Sequence, residues 1–189
     1  SIGPDALSHC TNLISIDIPE KVTKIEGFTF YNCTSLATVR IPSSVTSIGE
    51  RALYNCNNLS NIYCLSDEAP QTHKDAFLDT NITKITLHVP YGSKIAYEAV
   101  SPWNEFGKIL EIPITITVGE TGFATFCYPH ALDFSEVEDI RAYIVSGFNQ
   151  ETGTLVLTRV TEVPAGEGLY IAGMPGNHEI PQTQTSMFY

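Results

Sequence analysis

The chain has 189 residues and a formal net charge of −11 at pH 7, with only 10 Lys and Arg. That balance excludes the basic patch of a nucleic-acid binder and disfavours docking on anionic lipid. Hydrophobic residues make up 43%, enough for a core in one large domain or two small ones, and no apolar run reaches the roughly 18 residues of a membrane helix.

In chain order, the first feature is a phrase that recurs. "LSHCTNL" runs from Leu7 to Leu13, "FYNCTSL" from Phe30 to Leu36 and "LYNCNNL" from Leu53 to Leu59. Cys10, Cys33 and Cys56 therefore recur at a constant step of 23, as do Leu13, Leu36 and Leu59, and Ile2, Ile25 and Ile48. Ile18-Pro19 returns as Ile41-Pro42, and Val22-Thr23 as Val45-Thr46. Self-similarity at a fixed period is the mark of stacked coils, each too small to bury its own apolar side.

Within each coil the strand reads L-x-x-I-x-I. The copies are Leu13, Ile16 and Ile18; Leu36, Val39 and Ile41; Leu59, Ile62 and Cys64. The same step of 23 places a fourth at Ile82, Ile85 and Leu87, after an irregular segment, "LSDEAPQTHKDAFLDT", with Asp79 in the cysteine's place. Stacking predicts inward ladders of Leu13, Leu36, Leu59 and Ile82, and of Ile16, Val39, Ile62 and Ile85. Free cysteine is among the most buried residue types, so Cys10, Cys33 and Cys56 read as a third buried ladder. No His or carboxylate recurs at the same step to make them a metal site. Asn32 and Asn55, just before them, are expected to satisfy turn backbone.

This pattern resembles the leucine-rich repeats, and "IPSSVTSIGERALYNCNNL" resembles their BspA-like subclass, found on surface proteins of anaerobic oral and gut bacteria. The likeness covers residues 1 to about 90. It implies a leucine-rich repeat solenoid of 23-residue coils, displayed extracellularly or on the cell surface. No signal peptide is visible and the chain opens inside a repeat, so an export signal is expected upstream. The five cysteines, Cys10, Cys33, Cys56, Cys64 and Cys127, are odd in number and include no Cys-x-x-Cys pair, which argues against a disulfide scaffold or a zinc knuckle.

Residues 91–112 read as a short helical cap or linker. Ser93 is placed to cap a helix with Ile95, Ala96, Ala99 and Val100 on its apolar side, ended by Ser101-Pro102. Trp103, Phe106, Ile109 and Leu110 suggest a second helical turn, with Trp103 packed into the cap. From Pro113 the grammar changes to short β runs, "ITITV", "FATFCY", "RAYIVSGF", "GTLVLTRV" and "GLYIAG", separated by "GETG", "NQETG" and "PAGEG". Residues 113–189 are expected to form a small all-β sandwich or barrel-like domain, incomplete at its C-terminus. Arg141 and Arg159 against nine Asp and Glu give this segment −7 of the total −11. It resembles a β module that follows such repeats in bacterial surface proteins.

No motif carries catalytic chemistry: there is no His-Glu-x-x-His, no G-x-S-x-G and no phosphate loop. Asp133, Glu136, Glu138 and Asp139 lack the ligand order of a calcium loop and read as a solvated loop. Cys127 and His130 are not expected to converge. No enzyme activity, cofactor or metal is expected. What remains is the outward sheet face, with rows Ser15, Thr38, Asn61, Lys84 and Asp17, Arg40, Tyr63, Thr86. The candidate ligand-binding residues are Asp17, Arg40, Asn61, Tyr63, Lys84 and Thr86, because Tyr and Arg mixtures suit protein recognition. A solvated face with a weak Asp17–Arg40 pair is the plainer reading. The expected function is non-enzymatic adhesion to a protein ligand such as host extracellular matrix. The alternatives are a glycan bound through Tyr63, Trp103 or Tyr128, and a structural stalk.

Overall fold

The computed structural model describes residues 2–128, 131–135, 137–150 and 154–180. They fall into two compact units, Ser1–Ile112 and Pro113–Tyr189. The first unit is a stack of coils, each giving two short strands. These are β1 (Ser15–Asp17) and β2 (Lys24–Ile25), β3 (Thr38–Ile41) and β4 (Ser47–Ile48), then β5 (Asn61–Cys64) and β6 (Gln71–Thr72). A 3-10 turn at Ile82–Lys84 leads into β7 (Thr86–Pro90). Helix α1 (Lys94–Glu98), a second 3-10 turn at Trp103–Glu105 and strand β8 (Lys108–Ile112) complete the unit.

The strands pair in parallel as a five-stranded sheet, β1-β3-β5-β7-β8, and a three-stranded sheet, β2-β4-β6. The L-x-x-I-x-I pattern works because alternate strand residues face opposite sides. Leu36, Val39, Ile41, Ile62, Cys64, Leu87 and Val89 are all fully enclosed. Each such aliphatic residue contributes roughly 1.5–3 kcal/mol of apolar burial. The first coil is more open: Cys10, Leu13 and Ile16 are only partly buried, and Ile14 is 67% exposed.

Two turn positions per coil hold left-handed backbone, at Asp5, Phe28 and Arg51 and at His9, Asn32, Asn55 and Asp79, all with φ between 51° and 59°. Asn and Asp tolerate this conformation best. Asn32 and Asn55 do not bond turn backbone as expected. Asn55 Nδ2 donates to Asn32 Oδ1 at 2.7 Å, one coil to the next.

Coil length is not constant. Ile41 pairs with Cys64, a step of 23, but Ile48 pairs with Thr72, a step of 24, and Asn61 with Thr86, a step of 25. One extra residue thus enters between Cys64 and Gln71 and another between Thr80 and Thr86. This corrects three expectations. Leu87, not Ile85, follows Ile62 in the inward row, although Ile85 is itself buried just before the strand. Lys84 lies in the 3-10 turn and off the sheet. The cysteine's place in the fourth coil belongs to Thr80, not Asp79. Cys33 Sγ donates to Leu7 O at 3.1 Å and Cys56 Sγ to Phe30 O at 3.3 Å, and Thr80 Oγ1 repeats the bond to Leu53 O at 2.6 Å. A hydroxyl replaces a thiol because each need only send one proton back to the preceding coil.

Residues 91–112 also differ from expectation. In α1 the enclosed side chain is Tyr97, while Ile95 and Val100 are exposed. Ser93 occupies the N-cap position, but its hydroxyl bonds Asp67 Oδ1 and does not cap. Ile109 and Leu110 extend the sheet in β8 and form no helical turn; Thr86 pairs with Lys108 and His88 with Leu110. Trp103 is wholly buried against Phe77, Tyr97 and Phe106, and its indole N–H donates to Pro70 O at 3.0 Å. Gly107 admits this closure: a Cβ there would lie 1.8 Å from Thr83 O.

The second unit is antiparallel β. It comprises β9 (Ile114–Val118), β10 (Phe123–Cys127), β11 (Leu132–Asp133), β12 (Ile140–Asn149), β13 (Thr154–Val160), β14 (Glu162–Val163), β15 (Gly168–Gly173) and β16 (Gly176–Ile180). β10-β15-β12-β13 form one sheet, while β9 pairs β16 and β11 pairs β14. Ile114, Ile116 and Val118 are buried in alternation with exposed Thr115 and Thr117. Among the described residues the pairings do not close a barrel. Glu136 and His130, named in the acidic cluster and the Cys127 pair, lie outside the described residues.

Candidate functional site

The parallel sheet turns two rows of side chains outward. Register puts Ser15, Thr38, Asn61, Thr86 and Lys108 in one row, and Asp17, Arg40, Tyr63, His88 and Leu110 in the other. Of the six residues picked out in the sequence, Asp17, Arg40, Asn61 and Tyr63 fall in the expected rows. Thr86 falls beside Asn61 and not beside Tyr63. Lys84 is not part of the face. The residue at the end of the aromatic row is His88, missed because the step of 23 does not reach it. Its signal was the run "TLHVP", which carries the strand alternation two places later than the period implies.

The second row is packed ring on ring. His88 lies flat on Tyr63, with centroids 4.3 Å apart and planes 9° apart. On the other side of Tyr63, the Arg40 guanidinium carbon stands 5.8 Å from the ring centre. Parallel strands about 4.8 Å apart impose this spacing on equivalent side chains. His88 Nε2 donates to Asn61 Oδ1 at 3.1 Å, and Asn61 Nδ2 donates to Ser60 Oγ at 3.1 Å, which fixes the amide's orientation. Burial, and then the charge of Lys108, hold the imidazole below its ordinary range, so it is neutral at pH 7. Among the described residues no ion pair within 4.0 Å joins Arg40 to Asp17 or to any other carboxylate. The weak pair expected on this face is not formed; the guanidinium rests on an aromatic ring, a contact worth about 0.5–1 kcal/mol at an exposed site.

A second ring ladder runs along the turns. Tyr31 and Tyr54 stack at 4.5 Å and 6°, His9 meets Tyr31 edge-on, and Arg51 lies over both Phe28 and Tyr54. A hydrogen bond with Asp79 pushes the Tyr54 hydroxyl above its ordinary range. The two tyrosines keep the period of the cysteines, so the ladder was readable in the sequence.

Of the three aromatics considered for a glycan, Trp103 is removed by its complete burial. Tyr63 has both faces covered, by Arg40 and by His88, and Tyr128 stacks on Phe126 at 6.0 Å. Neither face of Tyr63 is bare, whereas Tyr128 is half-buried beside Phe126. The described residues contain no group of three His, Cys, Asp or Glu arranged to hold a metal. No helix among them is long and apolar enough to cross a membrane.

Coil stacking, the inward ladder and the recurrent cysteine agree with comparison to known families. The family model described as "BspA type Leucine rich repeat region (6 copies)" matches residues 1–101. The chain belongs to the BspA-type leucine-rich repeat family. No curated protein matches it. The match includes α1 and stops just before Trp103, so the BspA-type repeats account for the outward rows as far as His88, and the match ends short of Lys108 on β8.

Proposed function

We propose that this chain is part of a surface-displayed, extracellular recognition protein whose BspA-type repeats form a solenoid and bind a protein ligand on the outward face of the parallel sheet. The observation that carries this reading is Arg40, exposed, without a carboxylate within 4.0 Å among the described residues, and laid against the Tyr63–His88 stack. Arg and Tyr held in fixed geometry are the residues that dominate protein interfaces, because they lose little freedom on binding. In this reading the repeats run to about residue 101, where the family match ends, the residues from there to 112 close the stack, and residues 113–189 serve as a β module, a sandwich, that spaces or supplements the repeats. Adhesion to host matrix or to another cell's surface is the setting that the family favours.

The test is a screen of the purified chain against immobilised matrix proteins and glycans, repeated with Tyr63→Ala. A protein hit lost in the variant, at unchanged melting temperature, supports the reading. A glycan hit indifferent to Tyr63 overturns it, and binding that maps to residues 113–189 moves the function to the β module.

A further inference from the structure

The proposed docking face differs in charge from the rest of the molecule. In a chain of net charge −11, its two outward rows hold only one acidic residue, Asp17, against Arg40 and Lys108. Neither cation has a carboxylate within 4.0 Å among the described residues. Asp17 stands at the β1 edge, so a carboxylate is repelled at that end and drawn toward the β3–β8 side. Between the cations lie neutral groups able to hydrogen-bond an extended backbone: Thr38, Asn61, Tyr63, Thr86 and His88.

From these positions we propose that the sheet binds an extended acidic peptide segment of a partner protein, with one carboxylate on Arg40 and a second on Lys108. The proposal rests on the reading of this face as a protein-docking surface and names its partner's chemistry. Arg40 is on β3 and Lys108 on β8, three strand intervals away and two positions back along the strand. At about 4.8 Å per interval and 3.3 Å per residue along the strand, the separation is about 16 Å. An extended chain covers that in about four to five residues. The preferred ligand therefore carries acidic residues at i and i+4 or i+5, with neutral residues over the Tyr63–His88 stack. A sulfated polysaccharide fits less well, because such polymers are held by dense runs of about five to eight basic residues, whereas this face has two cations in an acidic molecule.

His88 supplies a second readout. Its ring is faced by Tyr63 and Asn61 on β5 and by Lys108 and Leu110 on β8. A ligand carboxylate paired with Lys108 offsets the charge that disfavours the imidazolium. Binding then raises the His88 pKa from its lowered value, and affinity strengthens as pH falls toward and below the ordinary histidine range.

The experiment is an amide-shift NMR titration of the whole chain at low salt. The probes are a peptide with two glutamates separated by three neutral residues, its Gln-for-Glu twin, a peptide with the two glutamates adjacent, and a heparin oligosaccharide. The expected result is saturable shifts at Arg40, Tyr63, His88 and Lys108 with the spaced peptide. The twin and the adjacent-glutamate peptide should bind at least about tenfold more weakly, as should the spaced peptide with Arg40→Gln or Lys108→Gln, while Arg40→Lys retains part of the affinity. Melting curves of these exposed-site variants establish that they fold. Equal response to the Gln twin, or tighter binding of heparin at the same amides, overturns the proposal. The matrix screen separates it from the reading beneath it. A protein hit lost with Tyr63→Ala but kept with both Gln variants leaves the docking face standing and removes the acidic ligand. A hit indifferent to all three removes both.

Discussion

His88 stacks flat on Tyr63 at 4.3 Å although the sequence step between them is 25, two more than the step from Arg40 to Tyr63. The ring stack also sets a pH dependence. Burial and Lys108 lower the His88 pKa in the folded chain, so the unfolded chain binds the proton more readily. The stability this gives is fully present above the unfolded value, about 6.5, and is lost as pH falls through the lower folded value. Urea unfolding at pH 7.5 and 5.0 should show a larger loss for the wild type than for His88→Gln; equal losses would contradict a neutral, stacked imidazole.

The inward ladder predicts graded costs along the stack. Leu36 is completely enclosed and Leu13 only partly so. Leu36→Ala should cost about 2–5 kcal/mol in chemical denaturation, and Leu13→Ala clearly less. A Leu36→Ala loss below about 0.5 kcal/mol is incompatible with a packed ladder.

Thiol reactivity should sort the cysteines by depth. Burial raises the Cys33 thiol, pushes Cys56 up to about 12 and Cys64 up to about 11, whereas Cys127 is exposed. Thiolate is the reactive form. In the native state Cys127 should label first, half-open Cys10 next, and Cys33, Cys56 and Cys64 only on unfolding.

Thr80 both donates to Leu53 O at 2.6 Å and accepts from Cys56 N at 2.9 Å. Thr80→Val keeps the shape and strands two buried backbone groups, which should cost about 1–3 kcal/mol. Thr80→Cys restores the thiol of the earlier coils and should cost less. The comparison of melting temperatures decides whether hydrogen bonding or volume matters at this position.

Gly107 is where the last coil touches the 3-10 turn at Ile82–Lys84. Its missing Cβ would meet Thr83 O at 1.8 Å. Gly107→Ala must displace backbone and should destabilise by about 1–3 kcal/mol, read as a lower urea midpoint.

The first three coils were legible because every level agreed there: the period, the strand alternation and the cysteine. Legibility failed where residues were inserted. The loop after Cys64 and the turn before Thr86 each take one extra residue, which shifted Lys84 off the sheet and hid His88. A fixed step carries no information about such insertions; only the hydrogen-bonded register does. Helix α1 misled for a different reason. Its spacing marks Ile95 and Val100 as a face, but a helix of 5 residues is held by one large anchor, Tyr97, whose hydroxyl donates to Ser66 O at 2.7 Å. In the second unit the strands were readable from turn chemistry, while their order was not, because β12 and β15 are joined by register across intervening strands.

The bonds from Cys33 to Leu7, from Cys56 to Phe30 and from Thr80 to Leu53 all point the same way, from one coil to the coil before it. The array therefore has a polarity in its proton donors: each coil completes its predecessor and asks the same of its successor. Duplicating or deleting one whole coil leaves every such donor with an acceptor, whereas a cut within a coil leaves one of them unmatched. A recognition surface built on this frame can change length in whole units while each outward row keeps its spacing.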